Sequence, residues 1–222
     1  MKLTTEQIEY VSIYIQSFDI KFYELQVELT DHFVLIMEEI WNEDPEFTFH
    51  QVKYRAEQSF GRNYFKEIEV ERAKVLRKEY KRIQLKMVAE YFKFPKIVMS
   101  ILMVIVVYRI SFYFENLQKY VAMLFGFLFV FSLPMLYLWI KYRTIDGKRF
   151  LAIDYSSAYL GLLIFPQLGI NTSNIFKNEI QQNHLLVFPF IFLWALGVLF
   201  CITGLHLYRK NVNNVKKQYQ LT

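Results

Sequence analysis

The sequence predicts an all-α protein, a small cytoplasmic helical bundle followed by a four-helix transmembrane bundle. Three observations predict it. Apolar residues recur at helical spacing through the first ninety residues. Four later stretches reach the ~20 mostly apolar residues that a helix needs to cross a bilayer. Between those stretches, Lys and Arg alternate between scarce and abundant, the signature of a chain threading back and forth.

The chain of 222 residues has room for one or two domains. It is 54% hydrophobic and 18% aromatic, and its charge is unevenly distributed. Residues 1–52 carry a net −9, residues 53–94 a net +6 and residues 95–222 a net +8. The basic groups lie beside long apolar runs, where they suit anionic lipid headgroups better than a nucleic acid. With an acidic N-terminal region and no nucleic-acid-binding motif, direct nucleic-acid binding is not expected. The N-terminus, MKLTTEQIEY, lacks the apolar core of a signal peptide, so residues 1–94 are expected in the cytoplasm.

The elements follow in order. Thr4 with Gln7 reads as a capping box that opens a first helix to about Ser17. In the second, Phe22, Leu25, Leu29, Phe33, Ile36 and Ile40 step by three and four along one apolar stripe, which NEDPEF interrupts at Pro45. Thr48 with Gln51 repeats the capping box and starts a short third helix to Phe60, with Gly61 placed for a left-handed stop. A fourth helix starts near Arg62 and meets no breaker before Pro95, so it is expected to run on toward the first apolar stretch, with Pro95 as a kink or a helix restart. Residues 1–92 are thus one small bundle.

These residues carry a resemblance. YELQVELTDHFVLIMEEIW, then FTFHQVKYRAEQSFG, then YFKEIEVERAKVLRKEYKR, resembles the HTH-associated α-helical signalling domain found at the N-terminus of many bacterial membrane proteins. The matching positions are Glu28, Leu29, Asp31, His32, Phe60 and Gly61. The variant is similar to a group of multi-span proteins of Bacteroidota. The resemblance covers about the first 90 residues and implies a membrane-anchored regulatory or sensory protein that works with a cytoplasmic regulatory protein. It implies no catalytic residues.

Residues 93–210 hold the four stretches, at about 95–114, 121–140, 150–170 and 185–208, and residues 211–222 form a tail. The connections ENLQKY and NTSNIFKNEIQQNH hold one lysine each, whereas KYRTIDGKR and the tail RKNVNNVKKQYQLT hold four Lys/Arg each. This alternation expects a multi-pass protein of the bacterial inner membrane with both termini in the cytoplasm.

Candidate sites are few. Glu24, Glu28, Asp31 and His32 fall within one broad helical face, at i, i+4, i+7 and i+8. A di-iron bundle needs Glu-x-x-His on two helices, and no second copy exists here. The expectation is therefore an acidic face without metal that binds a partner, with Asp31 and His32 pairing locally or with cations of the fourth helix. On that helix Arg77, Lys78, Lys81 and Arg82 are candidate contacts for anionic lipid headgroups. Within the apolar stretches Arg109 and Asp154 are the polar residues of interest. At 1.5 Å per residue Arg109 lies ~21 Å beyond Pro95 and Asp154 ~6 Å beyond Phe150, too far apart to pair. Each is expected to reach its own surface, Asp154 beside Lys148 and Arg149.

Ala122/Gly126 and Ser157/Gly161 have small-residue spacing for close helix contact, and a homo-oligomer is a further candidate assembly. Cys201 reads as a small buried hydrophobe, and NTS at Asn171 matches a glycosylation acceptor. No phosphate loop, catalytic triad order, H-E-x-x-H or Cys-x-x-Cys occurs, so neither an enzyme nor a cofactor is expected. The expected role is regulatory or sensory in the lipid bilayer. The alternative is a small transporter or transport-complex subunit.

Overall fold

A computed structural model describes residues 1–59, 64–156 and 159–221, with the backbone alone for 159–163. Every regular element among them is helical. The order is α1 (Thr5–Gln16), α2 (Tyr23–Glu43), α3 (Phe49–Ser59), α4 (Tyr64–Glu90), α5 (Lys96–Ser111), α6 (Leu117–Tyr142), α7 (Leu151–Tyr155), α8 (Tyr159–Ile175), α9 (Lys177–Gln182) and α10 (Val187–Gln218). Phe60 and Gly61, which the resemblance invokes, lie outside the described residues, as does Ser157.

The first helices form as their local chemistry dictates. Thr4 and Gln7 bond each other's backbone N–H groups in a complete capping box, satisfying two of the four orphan donors of α1. Before α3 the box is half made: Gln51 Oε1 accepts from both the N–H and the hydroxyl of Thr48. The α2 stripe packs Leu25, Leu29, Phe33 and Met37 against Val11 and Ile15 of α1 and Val52 and Ala56 of α3. At ~25 cal/mol per Å² of apolar surface, each large side chain here contributes about 2 kcal/mol.

The helix restarts at Pro95, one of the two outcomes expected there, while the third apolar stretch needs correction. The fourth helix stops at Glu90, and residues 91–94 turn through i→i+3 bonds before α5 begins. Pro95 lacks an N–H and disfavours helical backbone at Phe94, so the break precedes it. The third apolar stretch is also divided. Its first residues form α7, whereas α8 runs on to Ile175, five residues beyond the expected end. The cause is packing: Phe150 and Ile153 join the core of the apolar helices while Leu151 joins the core of the N-terminal bundle.

Helix α6 and the continuous helical segment His184–Gln218 are long and apolar enough to cross a bilayer. α5 and α8 have 16 and 17 residues, about 24 and 26 Å, against a hydrocarbon core of about 30 Å. α6 packs on both α8 and α10, and α5 lies against α10. At one end of this group Ser111, Leu117, Gln181 and His184 meet. Ser111 Oγ lies 2.7 Å from His184 Nε2, and Gln181 binds the N–H of Leu117 and the carbonyl of Glu115. At the opposite end lie residues 142–155, the end of α10 and the N-terminal bundle.

Gly169 and Gly197 set two of the helix crossings, whereas the expected Gly126 does not; the Ser157/Gly161 pair lies outside the described side chains. A Cβ on Gly126 would meet nothing within 4 Å, so this residue faces outward. A Cβ on Gly169 would clash with Cδ1 and Cε1 of the fully buried Phe125, and one on Gly197 would lie 2.6 Å from Leu128 Cδ2. Gly169→Ala should therefore destabilise the protein by about 1–3 kcal/mol through overpacking. Gly126→Ala should be neutral or stabilising by up to about 1 kcal/mol, the helix propensity gained. Thermal unfolding of the two variants in detergent checks this, and equal melting temperatures would contradict it.

Candidate functional site

The most constructed polar feature is a joint between α2, the 145–155 segment and the end of α10. The turn Ile145–Lys148 is closed by two backbone bonds of 2.9 Å, with Asp146 and Gly147 both at positive φ, as a tight hairpin turn demands. It directs Lys148, Arg149 and Phe150 toward the start of α2. There the N–H of Tyr23 donates to the carbonyl of Arg149 at 2.9 Å, and Lys148 Nζ sits 3.7 Å from the Tyr23 ring centroid. Tyr23, Phe150 and Tyr219 form a mutual ring cluster with centroids 5.3–5.9 Å apart. Segments far apart in sequence thus meet over three aromatic rings, in geometries that favour edge and tilted contact.

Glu24 lies at the centre of this joint. Its Oε1 accepts from the N–H of Ala152 at 2.8 Å, satisfying an orphan donor at the start of α7. Burial raises its carboxyl from the ordinary 4.5 to about 7. The N–H groups of Ala152 and Leu151 pull the other way, and the charges of Glu28 and Asp154 add to the rise. The nearby cations are engaged elsewhere: Arg72 with Glu28, Arg149 with Asp154 at 2.5 Å, and Lys148 over the Tyr23 ring. Glu24 also acts on its neighbours. Tyr80 of α4 is pushed up to about 12, first by burial and then by Glu24. Burial and Glu24, in that order, also raise Tyr219.

The expected acidic face is therefore split. Glu24 turns away into the joint because α7 offers it unsatisfied N–H groups. Glu28, Asp31 and His32 stay exposed, and Glu28 pairs with Arg72 of α4. Glu28, His32 and Arg72 border an open groove between α2 and α4. The basic candidates also separate. Arg77 stacks over the Tyr155 ring at 4.5 Å, fixing α4 to α7, while Lys78, Lys81 and Arg82 are exposed. Arg109 is exposed near the Ser111–His184 end, and Asp154 belongs to the joint. The structure does not bring those two together.

No three His, Cys, Asp or Glu side chains converge as metal ligands among the described residues. The arrangement holds a protonatable carboxyl against two backbone donors. It can fasten or loosen two parts of the chain. Sequence reasoning missed the joint by taking 150–170 as one span. Asp154, a carboxylate five residues into that stretch, and the cations Lys148 and Arg149 before it were the available signal.

No family model, curated protein or solved structure matches the chain.

Proposed function

We propose that this chain is a multi-pass membrane protein with a regulatory or sensory role, whose N-terminal helical bundle binds a cytoplasmic protein partner. The observation that carries the membrane reading is an outward-facing apolar belt. The most apolar windows of α6 and of His184–Gln218 are only 33% and 44% buried. On α6, Phe127, Val130 and Phe131 are each more than half exposed, and on α5 Met99, Ile101 and Val106 are too. A soluble core helix would bury such residues, and water rarely meets so large an apolar surface on a monomer. In hydrocarbon the same surface is satisfied. α5 and α8 complete four spans, with their short lengths extended by flanking residues and by a long Arg109 side chain reaching the surface.

Orientation follows from charge. Lys141, Arg143, Lys148, Arg149, Arg209, Lys210, Lys216 and Lys217 belong to the segments at the bundle's end, which is therefore the cytoplasmic end. The resemblance of residues 1–90 to the HTH-associated signalling domain supports the regulatory role. Glu28, Asp31 and His32 supply an exposed face for a partner of basic character. The transport alternative has less support. Among the described residues, Ser132, Ser173 and Thr203, buried within α6, α8 and α10, turn their hydroxyls onto carbonyls of their own helices. The other buried polar side chain of α10, Asn211, leaves its Nδ2 without a bond but lies beyond the apolar run, among the basic residues of the tail.

Both halves are testable in cells. Reporter fusions at residues 117 and 177 should be external, and one at 145 internal; an external signal at 145 would overturn the topology. A photo-crosslinker at Asp31 should capture a soluble protein, and Glu28→Gln should abolish that capture. Folding survives this change, because an exposed ion pair such as Glu28–Arg72 contributes at most about 1 kcal/mol. Capture that ignores Glu28, or none, would remove the partner role.

A further inference from the structure

A cleft of ≈ 370 Å³ runs between α5 and α10, bordered by Phe92, Ile97 and Ile101 on one side and Phe188, Phe192 and Leu199 on the other. Its walls are carbon almost throughout. The one hydroxyl among its lining residues, Ser100 Oγ, is committed to the carbonyls of Tyr91 and Lys96 at 3.3 and 3.4 Å. From Phe188 to Leu199 the cleft follows about 16 Å of α10, so it is long, narrow and parallel to the helices. Nothing in it could orient a polar metabolite or satisfy a peptide backbone. An extended alkyl chain fits both its shape and its chemistry.

The lower end differs. Phe92 opens onto the turn that joins α4 to α5, where Lys93 and Lys96 are exposed and Phe94 is 85% exposed. Lys96 Nζ lies 3.9 Å from Glu90 and 5.1 Å from the Tyr91 ring centroid, so one carboxylate offsets part of the charge of two lysines. Aromatic side chains beside lysines at the end of an apolar helix are what the headgroup layer selects. An apolar trough therefore ends in a cationic, aromatic rim on the side that carries the N-terminal bundle.

We propose that this cleft is a binding site for an anionic phospholipid of the cytoplasmic leaflet. One acyl chain lies along α5 and α10, and the phosphate sits at Lys93 and Lys96. This assignment rests on the membrane reading above and goes beyond it, because it separates one retained lipid from the general bilayer. It is also distinct from the exposed cations of α4, which lie outside the cleft. Lipid held here touches α5 directly beneath the turn to α4, so its presence bears on how the bundle's last helix leaves the membrane.

Native mass spectrometry of the full chain in mild detergent tests it, with phosphatidylglycerol and phosphatidylcholine as the added lipids. Membrane fractionation with a carbonate wash comes first and separates the two claims. A chain that washes off the membrane overturns both. A chain that stays membrane-bound yet retains no lipid overturns the cleft alone. The expected result is one retained phosphatidylglycerol, bound between about 5-fold and about 25-fold more tightly than phosphatidylcholine, a factor of about five per lysine near an anionic headgroup. The double variant K93Q/K96Q, altered only at exposed positions, should lose that preference while still taking either lipid. Ile101→Trp, which fills the cleft from a half-exposed position, should lose both lipids with unchanged helicity. Equal retention of the two lipids, or retention that Ile101→Trp leaves intact, would overturn the proposal. So would a dimer that Ile101→Trp splits, which would give the cleft to a second copy of the chain.

Discussion

Leu151→Ala should lower the unfolding free energy by about 2–5 kcal/mol, the range for truncating a buried leucine without collapse of the cavity. It should also release the N-terminal bundle from the rest of the chain. Leu151 is 1% exposed and shares the bundle core with Phe22, Leu25 and Leu29, although it is more than a hundred residues away in sequence. Around it the attachments include the Glu24–Ala152 bond, the Tyr23–Arg149 backbone bond, the cation contacts of Lys148 with Tyr23, Arg149 with Phe22 and Arg77 with Tyr155, the Phe22–Tyr155 ring pair and the ring cluster of Tyr23, Phe150 and Tyr219. A second attachment runs from α4 to α10, where Gln84 Nε2 donates to the carbonyl of Phe200 at 3.2 Å. Loss of Leu151 should therefore loosen the already exposed 17–22 connection, whose Ile20 and Phe22 share that core, so that protease cuts it faster in the full-length protein and the melting temperature falls. Leu35→Ala, at a position 62% exposed, is the matched control and should change neither. Identical proteolysis of Leu151→Ala and the parent would show that the bundle is held mainly through α4.

The contrast between α2 and α7 shows how much was legible in the sequence. The α2 stripe was readable because its period of 3.6 places Leu25, Leu29 and Phe33 on one face whatever lies opposite. The capping residues Thr4 and Thr48 were readable because they act within one turn. Long-range partners have no such local code. The sequence from Phe150 to Tyr155 alternates between two cores, with Phe150 and Ile153 facing one and Leu151 facing the other. By composition it is only the start of an apolar run, so it merges with the helix that follows, α8. Glu24 was misplaced for the same reason. Its neighbours on α2 are acidic and solvated, and only the orphan N–H groups of α7 draw it inward. Gly126 was misplaced for a different reason: small-xxx-small spacing marks where close approach is affordable, whereas Phe125 and Leu128 on the facing helix place the close approaches at Gly169 and Gly197.

Glu24 makes the joint pH-sensitive, and the sign follows from the direction of its shift. Its carboxyl titrates near 7 in the folded chain and near the ordinary 4.5 when unfolded. Between those values the folded state binds more protons than the unfolded state, so stability falls as pH rises. The favourable contribution of the neutral acid is complete below about 4.5 and gone above about 7. The interval between the two values corresponds to about 3 kcal/mol. The groups facing Glu24 do not reverse this. Glu28 and Asp154 repel its charge, and Arg72 and Arg149 already pair with those two acids. Tyr80 and Tyr219 stay neutral over this range, because both are raised further from it. Glu24→Gln keeps a carbonyl oxygen for the Ala152 N–H and removes the charge. It should raise stability by up to about 3 kcal/mol at pH 8 and by under about 1 kcal/mol at pH 5, flattening the parent's profile between the two. Glu24→Ala leaves the half-buried Ala152 N–H without its acceptor and should cost about 1 kcal/mol at pH 5. Chemical denaturation of the full chain in detergent from pH 5 to pH 8 measures all three. If the parent and Glu24→Gln fall in parallel as pH rises, the titrating group at the joint is another residue.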